Sequence, residues 1–501
     1  MTLIQKFHLF VKNNKLLIAI LIIAAFFRFY KISGYMEFLG DQGRDVVIVR
    51  DFLKNGNLFF IGPQTSIGNM YLGPYYYYLI TPALLLTNFN PVGPSIFVAI
   101  LSLLTVFLIY TISEKWFNKN TAVIASFLYS ISPVVIKYSA FSWNPNVMPL
   151  FALLFVYFMV EAINQKKYKY FIYVSLTFIM AINSHYLALL LLPFAGILWI
   201  IHFFSIRGKS KHFLLFTLYA FLIFFVSLTP QILFDLKHQN QNLNALIKFF
   251  TYRETTVNLK AYKSIPSLIP LFSQVNSRLL LGKNDTLSLA LTIFLIIGSA
   301  LVFLKKDNKK TPLVSIFLWL LIGIGGLGLY KQHIYDHYFG FIFPVPFIVI
   351  GIVLNRLMEF NRFTKFISYF LILGLTYLSI LETPIQYPPN NQLQTTQTIV
   401  KSIMTESGGQ PFNFALLAKQ NYDPPYRYYL SEYKAPVHLL QDKITKQLFV
   451  VCEPWQIDCN PINNPEWSVA AFGWAKIDKE WEINGIKLYK LTHNENIQPS
   501  N

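Results

Sequence analysis

The hexapeptide Gly40-Asp41-Gln42-Gly43-Arg44-Asp45 puts two carboxylates and a guanidinium within five positions. A carboxylate at a partly buried surface can take a proton from a hydroxyl, its basicity set by burial and its aim by neighbours. Asp41 is therefore a candidate general base. It also reads as the N-cap of a helix, a role worth about 1 kcal/mol. Gln42 can act neither as a base nor as a strong metal ligand, so Asp45, one helical turn on, is the candidate for a second charge, with Arg44 between the two. A second dense stretch is Lys331-Gln332-His333-Ile334-Tyr335-Asp336-His337-Tyr338. On a helix, His333, Asp336 and His337 would share one face and suit a divalent ion, while Lys331 and His337 suit a phosphate. Lys237 and Arg278 are further phosphate candidates, or charges at a lipid surface. His185 lies where two apolar segments meet, a costly place for an ionisable group that favours function or a bond to backbone. Asn144, in Trp143-Asn144-Pro145, is a turn residue or reaches a cavity shared with these groups. Tyr75 and Tyr76 open a run of four tyrosines that suits a membrane interface, where one ring can also stack on a sugar.

These residues must be positioned by apolar elements. The chain has 501 residues, 54% hydrophobic and only 13% charged, with 47 Phe and 30 Tyr. The apolar residues fall into blocks of about 15 to 22, the length that crosses a hydrocarbon core. About eleven such blocks make this a polytopic all-α membrane protein. They lie near 16–32, 92–112, 121–137, 147–163, 170–183, 186–205, 213–230, 286–304, 312–330, 338–354 and 365–381. Lys6, Lys12 and Lys15 before the first block resemble a signal peptide, but Arg28 closes that block and more blocks follow, so a retained span is expected. Alternate short loops carry Lys115 and Lys119; Lys166, Lys167 and Lys169; Arg207, Lys209 and Lys211; Lys305, Lys306, Lys309 and Lys310; Arg356, Arg362 and Lys365. That alternation puts the N-terminus in the cytoplasm, the C-terminus outside, and the protein in the plasma membrane as a multi-pass protein. The net charge of +18 resides largely in these loops, without a basic stripe of interleaved aromatics, which argues against nucleic acid.

Two long loops then face outward. The first, 33–91, begins with the acidic stretch. Val46, Val47, Val49, Phe52 and Leu53 follow at helical spacing, and Gly56 is the stop signal of a short amphipathic helix at the membrane surface. The second, 231–285, carries Lys237, Lys248, Arg253, Lys260, Lys263, Arg278 and Lys283. Residues 1–382 form the membrane module; 383–501 are polar and read as a small extracytoplasmic α/β domain. Its expected strands are Phe412–Ala418, Gln447–Cys452 and Gly485–Leu491, with a helix over Tyr426–Tyr433. Cys452 and Cys459 are either a disulfide in an oxidising space or two free thiols.

Taken together, the pattern resembles the C-type (GT-C) glycosyltransferase superfamily. It is most similar to the bacterial relatives of dolichyl-phosphate-mannose–protein mannosyltransferases and aminoarabinose transferases. The carrying residues are Arg28, Gly40-Asp41-Gln42, Gly73-Pro74 with Tyr75 to Tyr78, Trp143-Asn144-Pro145, Ser184-His185, and His337-Tyr338 followed by Pro344 and Pro346. They span roughly residues 10–360, and the family's usual acidic pair is broken by Gln42. The resemblance implies the GT-C fold. It also implies an enzyme that moves a hexosyl or pentosyl group from a polyprenyl-phosphate donor to a protein, glycan or lipid acceptor outside the cytoplasm. The anomeric centre would be inverted and Asp41 would be the base. Arg44, Asp45, Tyr75, Tyr76, Asn144, His185, Lys237, Arg278, Lys331, His337 and Tyr338 would line the substrates. No cofactor is required by the pattern, although a divalent metal fits it. The competing class is a transporter or flippase of lipid-linked saccharides, which would need polar groups near span centres or an inverted repeat. The polar residues here gather in outer loops instead, which favours surface chemistry.

Overall fold

The computed structural model describes residue 5 and residues 12–494, except 67, 253–256, 259, 305–309, 420 and 454–458. Lys6, Arg253, Lys305, Lys306 and Lys309 of the charge pattern therefore lie outside the described residues. The chain divides into two compact units. The first comprises Met1–Ile32, Leu58–Leu86 and Gly93–Pro388; the second comprises Ser33–Asn57, Thr87–Val92 and Pro389–Asn501.

The first unit is helical. Seven helices among the described residues are long and apolar enough to cross a membrane: Val92–Trp116, Asn144–Asn164, Tyr186–Ser205, Lys211–Lys237, Asp285–Phe303, Lys310–Leu327 and Arg362–Leu381. Two bent pairs raise the count to nine: Lys119–Ile131 with Pro133–Ser139 at 63°, and Asp336–Ile342 with Pro344–Met358 at 61°. Each break has a proline just after it, which removes an amide donor; Ser132 before Pro133 is extended, whereas Phe343 before Pro344 stays helical and follows a 3-10 turn. The expected count of about eleven is not reached by this measure. The two remaining blocks are the helices Lys15–Phe29 and Tyr170–Ser184, of 15 residues each. At 1.5 Å per residue each is about 22 Å long, short of the roughly 30 Å core. The chain is a multi-pass membrane protein.

Burial sorts these helices by position. Pro344–Met358 is buried along nearly its whole length, as expected of a helix hydrophobic all round. Small residues let its neighbours approach: a Cβ on Gly351 would stand 2.9 Å from the Thr121 carbonyl oxygen. By contrast, Leu218, Phe221, Leu222, Phe225 and Val226 on Lys211–Lys237 are exposed. So continuous an apolar face is stable against lipid rather than water.

The second unit is an α/β fold. Its four strands are β1 (Asn413–Leu417), β2 (Gln447–Cys452), β3 (Ala475–Ile483) and β4 (Ile486–His493), in the order β1-β2-β4-β3. β1 and β2 are parallel; β4 runs antiparallel to β2 and β3. Leu448, Val450, Phe472 and Leu491 pack the sheet core. Cys452 and Cys459 form a disulfide, with Cα atoms 6.1 Å apart. The helices Gln392–Glu406, Pro424–Glu432 and Gly40–Asn55 belong to the same unit. Pro424–Glu432 packs between the other two. The acidic stretch is thus folded together with residues nearly four hundred positions away, held at its start by the Phe38 amide donating to Gln392 Oε1 at 2.9 Å. The helix expected after Asp41 is present and ends at Gly56, whose φ of +75° is the left-handed conformation glycine adopts without strain.

Candidate active site

Leu39, not Asp41, is the N-cap of Gly40–Asn55. The alternative role of Asp41 as a cap is therefore not realised. The Gln42 side chain reaches back to accept the Leu39 amide at 3.0 Å, half of a capping box. The Gly40 amide donates to Asn421 Oδ1 at 2.8 Å. With the cap supplied elsewhere, the Asp41 carboxylate turns to Arg44, whose Nη1 donates to its Oδ1 at 2.8 Å. Arg44 holds Asp45 as well: Nε and Nη2 donate to Asp45 Oδ1 at 3.1 and 2.8 Å. The two carboxylates differ in access. The Asp45 side chain is 1% exposed and that of Asp41 40%. A sealed carboxylate needs a paired cation, and the planar guanidinium fork can serve two acceptors at once. Arg44 thus stabilises the closed carboxylate and aims the open one. Further along the helix, Arg50 pairs with Glu432 at 2.8 Å and stacks on Tyr428 at 4.7 Å.

Within the first unit, a second group of expected residues gathers around His337. Its ring lies 4.6 Å from Trp143, 4.6 Å from Tyr338 and 5.9 Å from His185. His185 occupies the break between Tyr170–Ser184 and the helical turn that follows, and its Nδ1 accepts the Leu187 amide at 3.2 Å. Asn144 is buried and donates to the Ser184 carbonyl at 2.7 Å, fixing the residue before that break. A small cavity of about 10 Å³ reaches this group, lined among others by Ser102, Tyr138, Asn146 and His337. Tyr138 and Trp143, neither singled out from sequence as site residues, lie beside His337 with ring centroids at 6.2 and 4.6 Å.

Other expected residues fall elsewhere in the first unit. Arg278 faces Asp336 at 3.4 Å, so its charge is partly matched within the protein. Lys237 is exposed at the end of its helix, and Lys331 is exposed in the loop before Asp336. The Tyr75 hydroxyl donates to the Ser227 carbonyl at 2.8 Å, and the Tyr76 hydroxyl lies 2.7 Å from Ser142 Oγ with its ring enclosed. The shared helix face expected for His333, Asp336 and His337 is not formed. Residues 331–335 are non-helical, and a 3-10 helix starts only at Asp336. Among the described residues no group of three or more His, Cys, Asp or Glu can hold a metal ion. The three residues on their own therefore do not fit one.

Residues 72–230, about a third of the chain, match the family model for dolichyl-phosphate-mannose-protein mannosyltransferase. No curated protein matches the sequence. Among solved structures, the chain is similar to ArnT from Cupriavidus metallidurans bound to undecaprenyl phosphate, with a TM-score of 0.57 and 11% identity, over 96% of this chain and 98% of that one. It is also similar to the oligosaccharyltransferase AglB from Archaeoglobus fulgidus in complex with an inhibitory peptide and a dolichol-phosphate. There the TM-score is 0.54 and the identity 12%, over 98% of this chain and 75% of that one. The arabinofuranosyltransferase AftD from Mycobacteria matches with a TM-score of 0.54 and 12% identity, over 96% of this chain but only 40% of its own. The fold is that of the C-type glycosyltransferases.

Proposed function

We propose that this protein is a membrane glycosyltransferase that takes a sugar from a polyprenyl-phosphate donor, with Asp41 as the general base. The observation that carries this reading is the unequal pair on Arg44: a half-open carboxylate aimed by a guanidinium that a sealed carboxylate holds in place. The fold supports the donor class, since ArnT is bound to undecaprenyl phosphate and AglB is in complex with a dolichol-phosphate. In the step inferred, the acceptor oxygen attacks the anomeric carbon from the face opposite the phosphate. The bond from that carbon to the phosphate oxygen breaks, and the phosphate leaves with the electron pair. The acceptor proton passes to Asp41, and the configuration inverts. Developing charge on the phosphate calls for cations, for which Lys237, Arg278, Lys331 and His337 are the candidates. Asn144, His185, Tyr338, Tyr75 and Tyr76 are the further candidates for contact with the substrates. The acceptor, whether protein, glycan or lipid, would be glycosylated outside the cytoplasm.

The test is to incubate the purified protein with undecaprenyl-phosphate-linked hexoses and pentoses, with and without chelator, and follow donor loss by mass spectrometry. Asp41→Asn is expected to lower kcat by about 100- to 10,000-fold while leaving donor binding in place. A variant that transfers at the wild-type rate would refute the assignment. A flippase would leave every donor chemically intact.

A further inference from the structure

We propose that Asn421, held by Glu453, is a positioning residue for Asp41. This rests on the reading of Asp41 as the base.

The side chain of Asn421 makes three hydrogen bonds. Its Oδ1 accepts from the Gly40 amide at 2.8 Å and from the Tyr422 amide at 2.9 Å. Its Nδ2 donates to Glu453 Oε1 at 2.7 Å. Only one orientation of the amide satisfies this set, because the oxygen faces two donors and the nitrogen faces a carboxylate. Glu453 is itself fixed. It is 7% exposed and also accepts from the Tyr426 hydroxyl at 3.0 Å. The result is a rigid strut that runs from the end of β2 through Asn421 to the first amide of the helix that carries Asp41.

A helix leaves its first amides without partners of its own, and a partner from elsewhere fixes where the helix begins. Here that partner comes from 381 positions away and binds the residue immediately before Asp41. Two close approaches seat the same turn. A Cβ on Gly40 would stand 2.5 Å from the Tyr422 ring, and one on Gly43 would stand 2.4 Å from the Pro425 nitrogen. The strut and these contacts leave the first turn one position. A carboxylate displaced by about 1 Å loses on the order of 100-fold in rate. Removing the strut should therefore act on turnover rather than on donor affinity.

The experiment combines hydrogen exchange and kinetics on the full chain, each variant assayed well below its thermal midpoint. The variants are Asn421→Leu, Glu453→Leu and Glu453→Gln, the last of which keeps an oxygen for both Asn421 and Tyr426. Both leucine variants are expected to lose amide protection in the segment around Gly40. They should also lose about 10- to 100-fold in kcat for undecaprenyl-phosphate-sugar consumption, with KM for the donor within about twofold. Glu453→Gln is expected to keep protection and stay within about threefold of wild-type kcat. Unchanged protection and kcat in Asn421→Leu would overturn the proposal, as would a loss confined to KM. Should the wild type consume no donor, the transferase reading fails, while exchange at Gly40 still decides whether the strut exists.

Discussion

Arg44 stands between an open and a sealed carboxylate, and the difference in exposure divides their work. Glu453 is a third carboxylate whose state can be read from its surroundings. Burial raises its pKa from 4.5; the hydrogen bonds from Asn421 and Tyr426 oppose that and do not cancel it. The folded chain thus binds this proton more tightly than the unfolded chain. The associated stability is full below the unfolded pKa and is lost as pH rises through the folded pKa. Glu453→Gln, which does not titrate, is the reference. The thermal midpoint of the wild type is expected to fall relative to the variant as the pH rises above 4.5 and through the raised folded pKa. A gap independent of pH would mean that the carboxyl is not held in this way. Residue types were legible at this scale, and their partners were not. The sequence shows that Gln42 cannot be a base; only folding shows that it binds the Leu39 amide. Likewise Asp41 and Asp45 look equivalent in the sequence, and only in the folded chain is one of them sealed.

Elements were legible where a period was strong. The helix after Asp41, the helix near 424–432 and three of the four strands were expected close to their observed bounds. β3 was not, because charged residues separate Ile477, Trp481 and Ile483 and a register shift between Ile477 and Lys479 breaks the two-residue period. Most of that strand is exposed at the sheet edge, where charge is tolerated and guards against further pairing. The helix Gln392–Glu406 was missed for the opposite reason: its buried Leu393, Thr396, Ile399, Val400 and Ile403 make a narrow stripe in a polar segment. How the helix Gly40–Asn55 meets Pro424–Glu432 leads to a direct test. A methyl group on Gly43 would lie 2.4 Å from the Pro425 nitrogen and 2.5 Å from its Cδ, neither of which is a flexible end. Alanine improves helix propensity by about 1 kcal/mol, and overpacking costs about 1 to 3 kcal/mol. The contact is with backbone and ring, so the cost should win and Gly43→Ala should unfold at a lower temperature. Gly374→Ala, where nothing lies within 4 Å, is the control expected to have no such effect. Equal midpoints for the two variants would show that the helices are not packed this closely.

For the molecule as a whole, span number and sidedness rest on different physics. Counting depends on helix length. Proline breaks at Pro133 and Pro344 and two short helices therefore leave seven to nine spans by length and composition among the described residues, where about eleven apolar blocks were expected. Sidedness depends on which loops carry Lys and Arg, and those loops are short, where the charge bias is strongest. A second, independent argument comes from sulfur. The chain has only 2 cysteines, and they are bonded to each other in the second unit. Such a bond persists in an oxidising space and is reduced in the cytosol. On these two arguments we propose that the second unit, and with it Asp41, lies outside. Alkaline phosphatase fused after Asn501 is then expected to be active, and a green fluorescent protein at the same position dark. In intact cells a membrane-impermeant maleimide should label the chain only after an impermeant reductant, because both thiols are tied up until then. A fluorescent fusion, or labelling that requires permeabilised cells, would place the carboxylate on the cytoplasmic side and leave the proposed transfer without its site.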